Sequence, residues 1–261
     1  MSDITLKQVR SMRTISPARI KINPKTVLAA LCMLSVVLVL ISFVGVVVHD
    51  PYSGNPYTGD PAASTPTNMS KVILRFDVMA EGNIPSWYSG ALLLIAAVLI
   101  AVIAADPRTR HEKYHERWAV LAVLFVLFSL DEIAYLHEGV NNFLSQQEGG
   151  FLTIGWILPA AVFVLIAGLW FAPFILSLPQ KTKRLFIIAA AIFLTGALGL
   201  EVVDNFLVSD LSVQAPIVLI SNHLQDLLEM FGTSLFIYAL LSHIGAHLHP
   251  LRLAISQNSQ T

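Results

Sequence analysis

Lysine and arginine are missing from every long apolar run of this chain, yet the same runs hold seven carboxylates and two histidines. These are Asp131, Glu132, His137 and Glu138; Glu201 and Asp204; and His223, Asp226 and Glu229. A charged side chain near the centre of a bilayer costs roughly 2.5–3.5 kcal/mol on insertion scales, so such groups are rare and usually functional. With no basic side chain in the same segments, the negative charge has to be met by a metal, by protons or by water.

Other absences narrow the field. A single cysteine, Cys32, excludes an intramolecular disulfide and argues against a soft-metal site. There is no G-x-S-x-G elbow, no glycine-rich phosphate loop and no H-E-x-x-H pair, because His137-Glu138 lacks a second histidine at the required spacing. No tandem repeat is evident, which leaves an inverted-repeat transporter without support from sequence symmetry. Charge is scarce too, at 13% of residues against 55% hydrophobic. Mean hydropathy is +0.69, the range of a membrane protein.

The apolar runs are long enough to cross about 30 Å of hydrocarbon at 1.5 Å per helical residue. Six are expected: 26–48, 86–105, 118–138, 152–177, 185–205 and 217–244. The fold class is therefore all-α, a polytopic bundle of six transmembrane helices. Fourteen of the sixteen basic residues fall in residues 1–25, in the second and fourth connections, and after the last run; Lys71 and Arg75 are the two others. The positive-inside rule makes that side cytoplasmic, with both termini inside.

The expected organisation is a basic cytoplasmic arm (1–25), one membrane domain (26–246) and a cytoplasmic tail (247–261). The first run follows a long basic segment and ends in His49-Asp50-Pro51 without a small-residue cleavage pattern, so it reads as a span and not as a signal peptide. The basic arm suits anionic lipid headgroups better than nucleic acid, and no nucleic-acid partner is expected. Residues 49–85 form an outer loop rich in Pro, Gly, Ser and Thr, followed by an interfacial helix. In a sharper reading that helix is a lid over the outer mouth, with Asp77 or Glu81 reaching inward. The location expected is the inner (plasma) membrane of a bacterium.

Depth groups the polar residues. Counted from their basic ends, the third, fifth and sixth spans all deliver acids to one outer layer. Angular position sorts them further: at 100° per residue Asp131 and Glu138 share a face with Tyr135 between them, and Glu201/Asp204 and Asp226/Glu229 are i,i+3 pairs. The ligand core expected is Asp131, Glu138, Glu201, Asp226 and Glu229, with His137 and His223 as nitrogen donors. Glu132 and Asp204 are assigned as orienting groups or general bases. Carboxylates with one or two imidazoles suit a divalent Zn, Fe or Mn ion, and helix bundles build such sites from facing helices. A bound water could then support hydrolysis, or with iron oxidation, of a lipid-phase or small substrate. Two alternatives stay open: a proton- or cation-coupled transporter, and a binding or assembly protein with a solvated acidic vestibule. The last would engage a lipid or small-molecule ligand, a membrane partner or a second copy of the chain.

Close packing of the fifth and sixth spans at Ala189, Gly196, Gly199 and Gly232 is expected to bring Glu201 near Glu229. Ser129 reads either as a nucleophile or water-positioning group, or as a serine bonded to its own helix. A second constellation, His111 and His115 with His243, His247 and His249, resembles the histidine boxes of membrane desaturases only superficially and is explained by interfacial amphipathic segments. The phrases FSLDEIAYLHE, DVMAEGNIPSW and DLLEMFG resemble those of uncharacterised multi-pass bacterial membrane proteins. The resemblance covers three short segments and implies no activity.

Overall fold

The computed structural model describes residues 22–49, 68–80, 82–136, 157–204 and 215–248. Among them there are seven α-helices and no strand. We label these α1 (Pro24–His49), α2 (Asn68–Leu74), α3 (Ile84–Ala105), α4 (His115–Ala134), α5 (Ile157–Ser177), α6 (Gln180–Leu194) and α7 (Pro216–His247). A π-helical segment, Thr195–Leu200, continues α6, and the helical run reaches Asp204. Residues 1–21 of the basic arm, residues 249–261 of the tail, His137 and Glu138 lie outside the described residues, as do Glu81 and residues 50–67 of the outer loop.

Five of these helices, α1, α3, α5, the α6 run Gln180–Asp204 and α7, are long and apolar enough to cross a membrane. The remaining long helix, α4, is 20 residues and carries Glu116, Arg117, Asp131 and Glu132 near its ends, so it has no charge-poor stretch as long as those of the other five. Large apolar side chains point outward along the bundle, among them Val44, Leu165, Leu169 and Leu176. In water such a surface would drive association; against lipid tails it has no such penalty.

Helix α7 is the hub, packed against α1, α3 and α6, while α3 pairs with α4. Its length follows from sequence: Pro216 sits at the first helical position, where its missing N–H is no loss, and no proline interrupts the next 31 residues. One face of α3, Leu92, Ala96, Ile100 and Ile103, is buried at helical spacing against the shared core. At the basic end Trp118 of α4 is fully buried against Phe174 of α5, Phe186 of α6 and His243 of α7. His243 itself bonds Thr182 Oγ1 through Nδ1 at 3.1 Å. That histidine therefore serves as a tie between α6 and α7, in keeping with the structural explanation of the basic-end histidines.

Two glycines set the spacing of α6 and α7. A Cβ on Gly232 would stand 2.7 Å from the Phe193 backbone nitrogen, and one on Gly196 would stand 2.7 Å from the Gln225 carbonyl. Neither distance is tolerable, so small residues are required at both crossings. The antiparallel register this fixes pairs Phe193 with Gly232 and Gly196 with the Gln225–Glu229 turn.

Candidate functional site

A folded turn closes the end of the bundle opposite the basic cluster. Asn83 builds it: its Oδ1 accepts from the Ser86 N–H and caps α3, while its Nδ2 donates to the carbonyls of Leu74, Asp77 and Ala80. Gly82, just before Asn83, has φ +71°, a left-handed conformation natural to glycine, and its missing Cβ leaves room for the Tyr135 hydroxyl. The turn drives Asp77 inward until it is wholly buried. Asp77 Oδ1 accepts from the Met79 N–H at 3.0 Å and lies 3.3 Å from Ser42 Oγ on α1. Of the two acids expected to reach inward, Asp77 is buried and Glu81 lies outside the described residues.

Ser42 joins three elements. Its hydroxyl oxygen accepts from the Val78 N–H at 3.0 Å and meets His223 Nε2 of α7 at 3.0 Å. The tautomer of His223 follows from its other contact. Nδ1 lies 2.7 Å from the Leu219 carbonyl, which can only accept, so Nδ1 carries a proton, and the single Ser42 hydrogen has two acceptors in reach, Asp77 Oδ1 and His223 Nε2. Both ring nitrogens of His223 are thus engaged, and a metal would have to displace Ser42 to reach Nε2. The ring edge also packs on Phe43, at 5.3 Å between centroids. Nothing in the apolar run 26–48 marks Ser42 as a functional residue, and sequence reasoning missed it.

Below this network, Asp226 lies within electrostatic range of Glu229, Glu132, Asp77 and Glu201. Carboxylates from α4, the α6 run and the turn thus come within electrostatic range of this one residue of α7. They do not all share one cavity. A small cavity between α3, α4, α6 and α7 is lined by Ser89, Leu93, Glu132, Phe193, Glu229, Met230 and Thr233. Its volume, about 10 Å³ for the centre of a water molecule, is at the threshold for one ordered water. Glu132, assigned from sequence to an orienting role, lines this cavity, and Asp131 does not.

Helix α4 closes at Ala134, where Tyr135 turns left-handed (φ 56°) and returns its N–H to the Asp131 carbonyl at 2.8 Å. The 100° count that aligned Asp131 with Glu138 therefore stops at residue 134. Ser129 donates to the Gly90 carbonyl of α3 at 2.7 Å and ties the two helices together, which accounts for it without catalysis. Glu201 accepts from Gln225 Nε2 at 3.1 Å, so its direct partner on α7 is Gln225, one turn beyond Glu229. Among the described residues no group of three or more His, Cys, Asp or Glu side chains is disposed to hold a metal ion.

A family model matches residues 31–244, from the first helix to the end of the last. The chain belongs to DUF8692, a domain of unknown function. No curated protein and no solved structure matches the chain. The DUF8692 match takes in the turn carrying Asp77 and the residues that line the cavity.

Proposed function

We propose that this DUF8692 chain is an integral membrane protein that binds a cation in the acidic cavity between Glu132 and Glu229. The observation that carries the reading is the lining itself: two carboxylates and two hydroxyls, Ser89 and Thr233, around a space sized for one water. A cavity of that size admits a monatomic ion and excludes an organic ammonium or a lipid headgroup. Oxygen donors of this kind suit a divalent ion, Mn or Fe before Zn, with His137 and Glu138 as further donors from the segment after α4. A metal-bound water there would supply a nucleophile or an oxidation centre for a lipid-phase or small substrate.

The positive-inside count supports a six-span arrangement in which α4 crosses with the other five long helices, both ends of the chain lie on the cytoplasmic side, and the cavity faces outward. A bacterial inner membrane fits this reading.

A second reading replaces the metal with protons. It is favoured by the spacing of Asp77, Glu132, Glu201, Asp226 and Glu229, which interact at a distance without three of them closing on one point. In low dielectric such a group is neutralised by protonation, and the protein is then a proton- or cation-coupled carrier. Metal content of the detergent-purified chain, set beside proton flux in proteoliposomes, separates the two.

A further inference from the structure

The corner between the end of the α6 run and the start of α7 holds a second oxygen cluster, separate from the Glu132–Glu229 cavity. Its geometry begins with the π segment Thr195–Leu200. Continued as a plain α-helix from Ala189, Phe193 and Gly196, the chain would turn Leu200 and Val203 toward α7. The wider π turn delays the register by one residue and presents Glu201 and Asp204 instead. Val203 is left 43% exposed, while Asp204 is 6% exposed.

The antiparallel register that pairs Phe193 with Gly232 carries Asp204 to Ser221, as far back along α7 from Gly232 as Asp204 is on from Phe193. Ser221 is 7% exposed and its hydroxyl stands beside the Asp204 carboxylate. Both carboxylate oxygens of Asp204, the Ser221 hydroxyl and the Gln225 Oε1 are buried without a hydrogen-bond partner. Gln225 turns its Nε2 toward Glu201, which leaves Oε1 as a bare acceptor. Buried acceptors normally find donors, because an unmet one forfeits its hydration. Here three neighbouring side chains share the same deficit, and two of them, Ser221 and Gln225, are not acids. The Ser221 hydroxyl can give its one hydrogen to Asp204, but the second Asp204 oxygen and Gln225 Oε1 then remain acceptors without a donor, and acceptors in excess of donors are what a cation meets.

We propose that Asp204, Ser221 and Gln225, together with Glu201, form a site for one hard divalent cation of the calcium type. Two carboxylates balance the double charge. An amide oxygen and a hydroxyl belong to the donor set that calcium takes at 2.3–2.6 Å, with flexible geometry completed by water. The absence of nitrogen and sulfur from the set disfavours zinc and copper. Magnesium is a poorer match, since it demands a near-ideal octahedron and keeps most of its water.

The test is calorimetric titration of the full chain in detergent, stripped with chelator, with CaCl₂, MgCl₂ or ZnCl₂ as the probe. One calcium per chain is expected, bound more tightly than magnesium or zinc. Asp204→Asn should weaken calcium at least tenfold, and Ser221→Ala and Gln225→Leu several-fold each. Glu132→Gln and Glu229→Gln should leave this binding intact, so loss of the cavity site and loss of this one are told apart. A calcium-dependent rise in melting temperature, present in the wild type and absent in Ser221→Ala, gives a readout that does not depend on the Asp204 variant folding. Absence of calcium binding in the wild type, or wild-type calcium affinity in both Asp204→Asn and Gln225→Leu, overturns the assignment.

Discussion

The Ser42 hydroxyl and the His223 ring, one on the first long helix and one on the last, meet at 3.0 Å beneath the Asp77 turn. The contact locks α1, α7 and the turn into one unit, since Ser42 also accepts from the Val78 N–H. Ser42→Ala would leave that N–H and His223 Nε2 buried without partners. A loss of about 1–3 kcal/mol is expected, the usual penalty for an unsatisfied buried group. Asp77→Asn retains an oxygen for the Met79 N–H and should cost less. Melting temperature and protease cleavage within residues 75–83 check both; unchanged melting and unchanged cleavage in Ser42→Ala would show that the network does not hold the turn.

Glycine positions give a sharper packing test. Gly232→Ala pushes a methyl group to 2.7 Å from the Phe193 backbone, and backbone cannot step aside as a flexible side chain would. The expected cost is about 1–3 kcal/mol. Gly168→Ala serves as the control, because a Cβ at that position meets nothing within 4 Å. Unfolding of the two variants in detergent should differ, with Gly168→Ala at or above wild type. Equal stability would mean that α6 and α7 do not approach as closely as described.

The arrangement across the membrane is open to chemical labelling. In a Cys32→Ser background, a cysteine at Asn68 should react with a membrane-impermeant thiol reagent applied to intact cells. Cysteines at Gln8 and Asn258 should react only after the membrane is opened. Labelling of Gln8→Cys in intact cells would reverse the orientation, and labelling of only one terminus would require an odd number of spans.

Much of the fold is legible in hydropathy, because five helices are long and apolar enough to cross a membrane and their edges fall within about five residues of the expected runs. The third run, 118–138, is legible only as far as 134, since a left-handed residue such as Tyr135 leaves no mark in an amphipathic pattern. The site was legible in part. Depth counting along separate helices places Glu132, Glu201, Asp226 and Glu229 at one level, because rise per residue hardly varies. Direction is less secure. A one-residue π delay decides that Asp204 and not Val203 meets α7, and no local sequence feature announces it. Ser42 is silent for a different reason: a lone serine in a run of valine and leucine normally bonds its own helix, and only the folded Asp77 turn gives it a second role.

The most direct measurement is the metal content of the full chain, purified in detergent without chelator, for wild type, Glu132→Gln and Glu229→Gln side by side. A divalent ion approaching one per chain in the wild type, above any bound by the Asp204 corner, and its loss in both variants is the expected result. Undiminished metal in both variants, or a wild type that takes up no ion at the cavity when manganese, iron or zinc is supplied, would contradict a cation between Glu132 and Glu229.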